Sequence, residues 1–489
     1  MRNAECGLRR KNPSASSFYS ARPNFARTPL PCLAILGLLF LFSGCQGENS
    51  PSPPHLPDGV INLSKTDALS IAPSTAASGN TVYVVWQEHV GGQNMEVLLS
   101  RSGDGGAAFG VPINLSRSIL FSGNPKVAVS GNFVYVVWEE SASADTADNN
   151  DLDILYRRGE DQNGTFTWYP SLDQPGLRLS STNHNCRNNS DTPGDDPCPS
   201  QTPAIVASGS NVFVAWSEST VYQFKLITTL NPPTKEFQII NSEILLVRST
   251  DGGVVFDPAP LAVSGPKDDS TLSPSFNPTL AATADRVYIA WEDIPQPQSP
   301  PAQSKILFRK LVDPLNLSFS PPLTQQATVL SGFIKGSSRP SLAAEESRVY
   351  LAWEGFPPSK SNCPAVQGNT PLSSAEILLI QSQNQGDQFS DPNDCAQSNA
   401  SDTTGNSNAP RIAVSGPFVY LVWMDNTPGV EGIVLRKSED SGGTFSAPSD
   451  LIQGGGSAAN PGIAAVGGTL LSSWEDATLG NLEIVFTRK

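Results

Sequence analysis

The chain has few charged residues, few histidines and no apolar run long enough to cross a membrane. Charged residues make up 16% of its 489 residues, and it contains 3 histidines and 3 methionines. A charge content this low excludes a coiled coil and a charge-rich disordered tail. The apolar run 31–42 has twelve residues, which is shorter than the ~20 residues of a membrane-spanning helix.

Proline and glycine are abundant instead, with 42 and 40 residues. This favours many short strands joined by turns over long helices. Six of the 31 basic residues lie in residues 1–44, so the rest of the chain has 25 basic residues against 45 acidic ones. Such a negative body is unsuited to nucleic acid and to anionic membrane surfaces, and we expect neither as a partner.

Residues 1–44 have the features of an export signal. A basic segment precedes the apolar run, and Phe42, Ser43 and Gly44 lead to Cys45. This ending resembles the lipobox of bacterial lipoproteins, in which the cysteine becomes the lipidated first residue. The resemblance implies a chain attached to the cell envelope only through Cys45, and Gln46 favours the outer membrane. An ordinary secretory signal is the alternative. Residues 45–58 are rich in proline and are interpreted as a stiff tether.

A five-residue cassette that ends in tryptophan recurs seven times in the remaining sequence. A Pro-led strand precedes the cassette, and a third strand follows it after a loop of variable length. Short β-rich runs at this period are typical of four-stranded blades arranged radially. The cassettes are Val82–Trp86, Val134–Trp138, Val212–Trp216, Val287–Trp291, Val349–Trp353, Val419–Trp423 and Leu470–Trp474.

The two ends of the repeat region complement each other. The seventh repeat stops at Lys489 directly after its third strand, and the segment 60–64 matches the fourth strand of the first repeat at 113–116. We therefore predict an all-β, seven-bladed propeller over residues 59–489, in which the N-terminal strand completes the last blade. Such closure leaves no unpaired sheet edge between the first and last blades. A six-bladed ring with one detached repeat is the alternative.

Three repeats share a turn pattern, Ser-x-Asp-x-Gly-x-x-Phe, after the third strand. Its Asp and Ser side chains can bond local backbone groups, Gly permits positive φ, and Phe fills the blade. The pattern and its position resemble the Asp-box, or BNR repeat, of the sialidase superfamily. In that family the boxes stabilise hairpins opposite the active site, so the resemblance implies a structural role. The residues are Ser102, Asp104, Gly106, Phe109; Ser249, Asp251, Gly253, Phe256; and Ser438, Asp440, Gly442, Phe445.

The resemblance does not extend to the family's catalytic residues. An Arg-Ile-Pro near the start is missing, and no tyrosine can be paired with a glutamate from the sequence. The segments most similar to Arg-Ile-Pro are Ser338-Arg339-Pro340 and Pro410-Arg411-Ile412, but they lie in late repeats and have their residues in a different order. We therefore assign no catalytic residue and expect a monomeric, non-catalytic binding module for an extracellular glycan or protein. A divergent sialidase-like glycoside hydrolase is the alternative, and plain envelope scaffolding is a third possibility.

Most of the length variation falls in loops that share one face of the predicted propeller. These are the loops from second to third strands and the connections between blades, and binding residues concentrate on such loops. Cys186 and Cys198 lie in one connection, and Cys363 and Cys395 belong to one repeat. In an exported protein, four such cysteines predict two disulfides that fix the long loops.

An acidic residue stands two positions after the tryptophan in six repeats. One hypothesis is a carboxylate ring around the channel mouth that binds cations or polyhydroxylated ligands. A structural role is favoured, because a residue repeated in every blade usually serves blade architecture. The six acids are Glu88, Glu140, Glu218, Asp293, Asp425 and Asp476.

Two further sets of residues are candidates for ligand binding. Lys126 and Arg411 each follow the proline of a first strand, and both could bind an anion at the channel mouth. The acidic loop with Asp145, Asp148, Asp151 and Asp153 could hold Ca²⁺ through oxygen ligands, although a solvated loop is favoured because the EF-hand spacing is missing. We expect no other cofactor and no other metal.

Overall fold

The computed structural model describes residues 55–91, 94–141, 152–180, 187–188, 199–227, 234–265, 273–294, 304–358, 372–427, 431–451 and 457–489. Side chains are described for these residues except 187–188 and 223–237. The described residues form seven β-sheets and one short helix, α1 (Cys395–Ser398). No described helix has the length and apolar character needed to cross a membrane.

Each sheet is one blade, and its main strands follow one another outward in chain order. The strands are β1 (Ile61–Asn62); in blade one β2 (Ser70–Ser78), β3 (Thr81–Gly91), β4 (Asn94–Ser102) and β5 (Ile113–Asn114); in blade two β6 (Ser122–Ser130), β7 (Phe133–Ser141), β8 (Leu152–Gln162), β9 (Thr165–Tyr169) and β10 (Leu177–Arg178); in blade three β11 (Arg187–Asn188), β12 (Ser200–Ser208), β13 (Asn211–Ile227), β14 (Thr234–Ser249) and β15 (Leu261–Ala262); in blade four β16 (Ser275–Ala282), β17 (Val287–Asp293), β18 (Lys305–Asp313), β19 (Ser318–Ser320) and β20 (Thr328–Val329); in blade five β21 (Lys335–Glu345), β22 (Arg348–Phe356) and β23 (Glu376–Ser382); in blade six β24 (Ser407–Ser415), β25 (Phe418–Asp425), β26 (Gly432–Ser438) and β27 (Ser449–Asp450); and in blade seven β28 (Ala458–Val466), β29 (Thr469–Asp476) and β30 (Glu483–Arg488).

The ring closes through the N-terminal strand. β1 pairs with β30, with Ile61 opposite Phe486, just as β5 pairs with β4 in blade one. The first strands contact each other in chain order around a central channel, and β28 of the last blade contacts β2 of the first. In blade five the fourth strand is reduced to an antiparallel bridge between Asn399 and Leu378. The predicted seven-bladed propeller, closed by its N-terminal strand, is confirmed.

The core lies between the blades. All seven cassette tryptophans are buried. Trp138 of blade two packs with Leu99 and Leu115 of blade one, and Trp86 packs with Leu63 and Phe486 of blade seven. Because both faces of a blade are covered by neighbouring blades, the cassette strands are apolar without the alternation of a half-exposed strand.

The three Ser-x-Asp turns share one hydrogen-bonded geometry. In the first, Ser102 Oγ donates to Asp104 Oδ1 (2.7 Å) and accepts the Gly106 amide (2.8 Å); the turns at Ser249 and Ser438 repeat both bonds. In two of the turns the phenylalanine packs on an aromatic residue of the preceding blade, Phe109 on Phe486 (4.8 Å between ring centroids) and Phe256 on Tyr156 (4.9 Å). These turns therefore fasten neighbouring blades on one face, which we call the turn face.

Candidate functional site

The opposite face of the propeller, which we call the loop face, is where second strands end and third strands begin. Each fourth strand also leads from this face to the first strand of the next blade. Among the described strands, those of blade three extend furthest at this face, because β13 and β14 stay paired out to Ile227 and Thr234. The loops from second to third strands begin and end at this face, and the connections between blades reach it where each first strand begins. One mouth of the channel therefore lies among them.

Every first strand contains a bulge close to the loop face. The residue before the proline has a positive φ of 48° to 56° in all seven blades, and the strand register shifts across this residue and the proline. Positive φ is uncommon for a residue other than glycine, so its recurrence makes the bulge part of the blade design. The residues are Ala72, Asn124, Thr202, Asn277, Arg339, Ala409 and Asn460.

The side chain directly after the tryptophan binds the bulge of the next blade. Glutamate is the commonest acceptor at this position, while Gln87 and Met424 replace it in blades one and six. The backbone amide of the bulge residue is the donor, and the bonds are Thr202 to Glu139 (2.6 Å), Ala409 to Glu354 (3.1 Å), Ala72 to Glu475 (2.7 Å), Asn124 to Gln87 (2.9 Å) and Asn460 to the Met424 sulfur (3.3 Å). Glu292 accepts the Arg339 amide in the same way.

Together these bonds form a ring that links each blade to the next, and blade three is the exception in it. Its residue after the tryptophan is Ser217, which donates to the Ser275 carbonyl (2.6 Å). The amide of Asn277 is directed instead to Thr202 Oγ1 (3.3 Å). Because Thr202 Oγ1 takes the place of the missing acceptor, the ring runs through all seven blades. The sequence did not reveal this ring, because glutamate, glutamine, serine and methionine at one position share no simple pattern.

Burial raises the pKa of three glutamates in this ring. It raises the pKa of Glu139 and Glu475, and that of Glu292 to about 7. Each of the three also accepts a bond from the asparagine before the proline in its own blade, at 2.8 to 3.1 Å. Their oxygens therefore bind the blades to each other.

Lys126 and Arg411 lie at the same position, directly after the bulge proline, in the first strands of blades two and six. Burial and the charge of Arg411 lower the pKa of Lys126 to about 8, and burial and the charge of Arg339 lower the pKa of Arg411 to about 10. Lys126 Nζ donates to Asn124 Oδ1 (2.5 Å) and the Pro125 carbonyl (3.2 Å), and Arg411 Nη1 donates to the Pro410 carbonyl (2.8 Å). Among the described residues, neither forms a salt bridge.

The six acids two positions after the tryptophan have partners inside their own blades. Five of them accept the indole N–H of that tryptophan at 2.8 to 3.2 Å, namely Glu88, Glu140, Glu218, Asp425 and Asp476. Asp293 accepts instead from Ser273 (2.6 Å) and Ser275 (2.9 Å). These contacts are those expected of blade architecture, and a ligand-binding role for the six acids stays a prediction.

Blade five shows what happens without the acid. Gly355 stands there, and within the described residues the Trp353 indole has no acceptor. A side chain is excluded at this position, because a Cβ on Gly355 would lie 2.8 Å from Ile334 Cγ2.

Most candidates for metal binding and disulfides lie outside the described residues. This applies to Asp145, Asp148 and Asp151, and to Cys45, Cys186, Cys198 and Cys363. Asp153 is bound by Arg178 and Ser180. Cys395 is buried at the start of α1, before Asn399, and thus precedes the fourth-strand bridge of its blade. The described residues contain no group of three or more His, Cys, Asp or Glu placed to hold a metal.

No family model and no curated protein matches the sequence. Solved structures do match. Two of an ulvan lyase, from a new family of polysaccharide lyases, have TM-scores of 0.56 and 0.55 at 9% identity, covering 88% of this chain and 95% of theirs; the first is bound to -[GlcA(1-4)Rha3S]-. Penicillium chrysogenum α-L-arabinanase, complexed with arabinobiose, has a TM-score of 0.45 at 9% identity, covering 88% of this chain and 98% of its own. Trypanosoma rangeli sialidase has a TM-score of 0.41 at 12% identity, covering 78% and 58%.

The class that the fold defines is therefore the seven-bladed β-propeller, which the ulvan lyase structures match over most of their length. At 9% identity this likeness extends to the fold alone.

Proposed function

We propose that this protein is a non-catalytic binding module that holds an extracellular acidic glycan on its loop face. The observation that carries the proposal is a difference between the charged groups at the channel. The glutamates accept hydrogen bonds from the bulge amides of neighbouring blades, whereas Lys126 and Arg411 retain unused donors. A ligand at this mouth therefore meets cationic donors.

The same bonds argue against hydrolysis. A glycosidase needs one carboxyl group to protonate the leaving group and a second to act as base or nucleophile. Glu139, Glu354 and Glu475 each accept a backbone amide from the next blade, and moving one of them toward a substrate would break a contact between blades. A hydrogen bond to the ionised carboxylate also favours its charged form and makes it a weaker base.

The class of ligand follows from the donors and from the fold. Lysine and arginine recognise carboxylate and sulfate groups. A propeller of the same architecture is bound to a saccharide of GlcA and Rha3S, which carries both groups. In the proposal, lipidated Cys45 holds the propeller at the cell envelope, the three Ser-x-Asp turns are Asp-boxes, and the loops around the mouth supply the remaining contacts.

Binding to an immobilised panel of acidic and neutral polysaccharides tests the proposal, using purified residues 46–489. Two variants that each add one cysteine locate the binding face when coupled to a polyethylene glycol maleimide, and the wild-type protein treated in the same way is the control for its four native cysteines. Ile119→Cys lies on the loop face and Val255→Cys on the turn face, where the native side chains are 90% and 65% exposed. We expect retention of an acidic glycan that the label at 119 blocks and the label at 255 leaves intact. Blocking by the label at 255 alone would contradict the proposal.

A further inference from the structure

We propose that a cleft between blades five and six binds a short extended segment of a partner protein, one that carries a basic side chain. The groups that would hold this segment are the guanidinium of Arg436, the main-chain carbonyl of Leu379 and the carboxylates of Asp391 and Asp394. The cleft lies on the outer rim beside the turn face, because Phe445 of a Ser-x-Asp turn lines it. It is therefore separate from the loop face, and the inference does not depend on the proposed function.

The cleft exists because the fourth strand of blade five is incomplete. In the other six blades the fourth strand pairs with two residues of the third strand, whereas the described residues of blade five form the bridge between Asn399 and Leu378. Residues 390–398, which we call the detour, precede this bridge and contain α1. The cleft between the detour, β23 and blade six has a volume of about 510 Å³, and ligand sites ordinarily have volumes of ~300–1,000 Å³.

One wall of the cleft is the outer edge of β23. On this edge the carbonyl of Ile377 accepts the Ala400 amide (2.7 Å), and the carbonyl of Gln381 accepts the Ser390 amide (2.9 Å). Alternate residues of a strand direct their main-chain groups to the same edge, so the carbonyl of Leu379, midway between them, also faces outward. Within the described residues it accepts no hydrogen bond. An extended peptide can donate an amide to such an edge and continue the sheet.

Arg436 lines the opposite wall, in blade six. Its guanidinium makes three hydrogen bonds within the described residues, to the carbonyls of Ala400 (2.8 Å), Ser446 (2.7 Å) and Phe445 (3.5 Å). The carboxylate of Asp402 attracts it electrostatically. An arginine has five N–H donors, so two donors remain for the carbonyls of a bound peptide.

The same arginine recurs in two other blades, where it binds main-chain carbonyls. Arg157, Arg309 and Arg436 each lie opposite the residue two positions before the cassette tryptophan. Arg309 bonds a carbonyl of the preceding blade, that of Val263 (2.8 Å), as Arg436 bonds that of Ala400. The other bonds of Arg309 and those of Arg157 are made to a loop of their own blade, at Pro321, Pro322 and Gln325 and at Pro170, Ser171 and Gln174.

The ligand class follows from this comparison. Arg157 and Arg309 are fully buried by the loops that they bind, whereas Arg436 borders an open cleft. Polypeptide carbonyls are what an arginine at this position binds in the described part of the chain, so a polypeptide segment is the occupant that fits the cleft.

The charges of the detour favour a basic side chain on that segment. Asp391 and Asp394 both line the cleft. Asp391 accepts from Asn393 (2.9 and 3.0 Å) and Asp394 from Gln397 (2.7 Å), and among the described residues neither carboxylate forms a salt bridge. A lysine or arginine of the bound segment would pair with them, and an acidic side chain would be repelled.

Fluorescence anisotropy on the folded protein tests the site, with labelled pentapeptides that alternate valine with lysine, serine or glutamate as probes. We expect saturable binding of one lysine peptide per chain, weaker binding of the serine peptide and the weakest binding of the glutamate peptide. A lysine peptide methylated at its backbone nitrogens has the same charge but no amide donor for Leu379. It should bind at least about tenfold more weakly, the usual cost of losing one or two hydrogen bonds.

Four variants locate the binding. Arg436→Gln should weaken the lysine peptide about tenfold to a hundredfold, because hydrogen bonds from a charged group are lost. Asp394→Asn should weaken the lysine peptide and leave the serine peptide unchanged. Gln397→Trp adds a bulky side chain at an exposed position on the cleft wall, and should block every peptide while the melting temperature stays that of wild type. The control Arg488→Gln, at an exposed arginine of blade seven, should bind as wild type does.

Three results overturn the proposal. One is a folded wild-type protein that binds none of the peptides. The second is binding that Arg436→Gln and Gln397→Trp both leave unchanged, because the peptide would then lie elsewhere. The third is equal binding of the methylated and unmethylated lysine peptides, which would show that charge alone attracts them. Retention of a glycan is measured separately, so either proposal can fail while the other stands.

Discussion

The carboxylate of Glu475 in the last blade accepts the backbone amide of Ala72 in the first blade at 2.7 Å. The N-terminal strand completes the last blade at its outer edge, where the Leu63 amide donates to the Ile484 carbonyl (2.7 Å). The propeller is therefore closed twice, by a side chain beside the channel and by the added strand at the rim. Both bonds recur around the ring, and at this junction the second one joins the N-terminal strand to the C-terminal strand.

Removing the inner closure should destabilise the protein. In Glu475→Ala the amide of Ala72 and the side chain of Asn460 both lose their acceptor, the buried carboxylate of Glu475. We expect a loss of about 1–3 kcal/mol in the free energy of unfolding, measured by chemical denaturation. Glu475→Gln retains an acceptor and should lose less. The exposed control Glu431→Ala should stay within about 0.5 kcal/mol of wild type, and an equal loss in the control would contradict the assignment.

The outer closure can be compared with its counterpart in blade one. Leu63 and Leu115 are both buried and make the same backbone bond to a third strand, at 2.7 Å. Leu63→Ala and Leu115→Ala should each cost about 2–5 kcal/mol, because each leaves a cavity between blades. Leu63→Ala should also speed protease cleavage near the chain ends, since β1 is the strand that holds them. The control is Leu69→Ala, at a 42% exposed position. If it lost as much free energy of unfolding as Leu63→Ala, the specific role of Leu63 in closing the ring would be refuted.

The buried Glu292 predicts a pH dependence. Burial raises its pKa to about 7, so the folded state holds a proton that the unfolded state releases near pH 4.5. This contribution to stability is present below pH 4.5 and is lost as the pH rises through 7. The free energy of unfolding should fall between pH 5 and pH 8, and Glu292→Gln should reduce this fall by on the order of 2–3 kcal/mol. The measurement is the free energy of unfolding as a function of pH. Identical slopes in wild type and variant would show that Glu292 does not titrate in this range.

Glycine in the Ser-x-Asp turns is predicted to be a packing requirement. Gly253 has a φ of +81°, and a Cβ there would lie 2.0 Å from Tyr156 Oη of the preceding blade. Gly79 also has positive φ (+55°), but its Cβ would meet nothing within 4 Å. Gly79→Ala should therefore cost about 1 kcal/mol for the backbone strain alone. Gly253→Ala should cost about 1–3 kcal/mol more for the clash, and equal melting temperatures in the two variants would rule this explanation out.

The repeat made the fold predictable from sequence. Seven tryptophan cassettes gave the blade count, and the match between the segments 60–64 and 113–116 gave the closure. These signals survive because a tryptophan buried between blades tolerates few replacements. The acid that bonds the tryptophan, such as Glu88 with Trp86, recurs two positions after it, so its structural role in the blade could be predicted from the sequence.

The contacts between blades at the channel were not predictable in the same way. The acceptor after the tryptophan is a glutamate in blade two, a glutamine in blade one and a methionine in blade six, because the bulge amide needs only an acceptor within reach. Its donor lies in the next repeat, 37 residues further along for Asn124 and Gln87. Lys126 and Arg411 could be picked out by their place after proline, but the distance between blades two and six depends on the radius of the closed ring.

The most direct test of the central claim, binding without catalysis, is turnover measured on the sample that binds. Purified residues 46–489 are incubated, with and without Ca²⁺, with fluorogenic glycosides including sialosides, and with acidic polysaccharides whose cleavage is followed by product release. The account predicts saturable retention of an acidic glycan and no turnover of any substrate by the folded protein. Turnover of any member of the panel, abolished by Arg411→Ala or Arg339→Ala, would contradict it and identify the channel mouth as an active site.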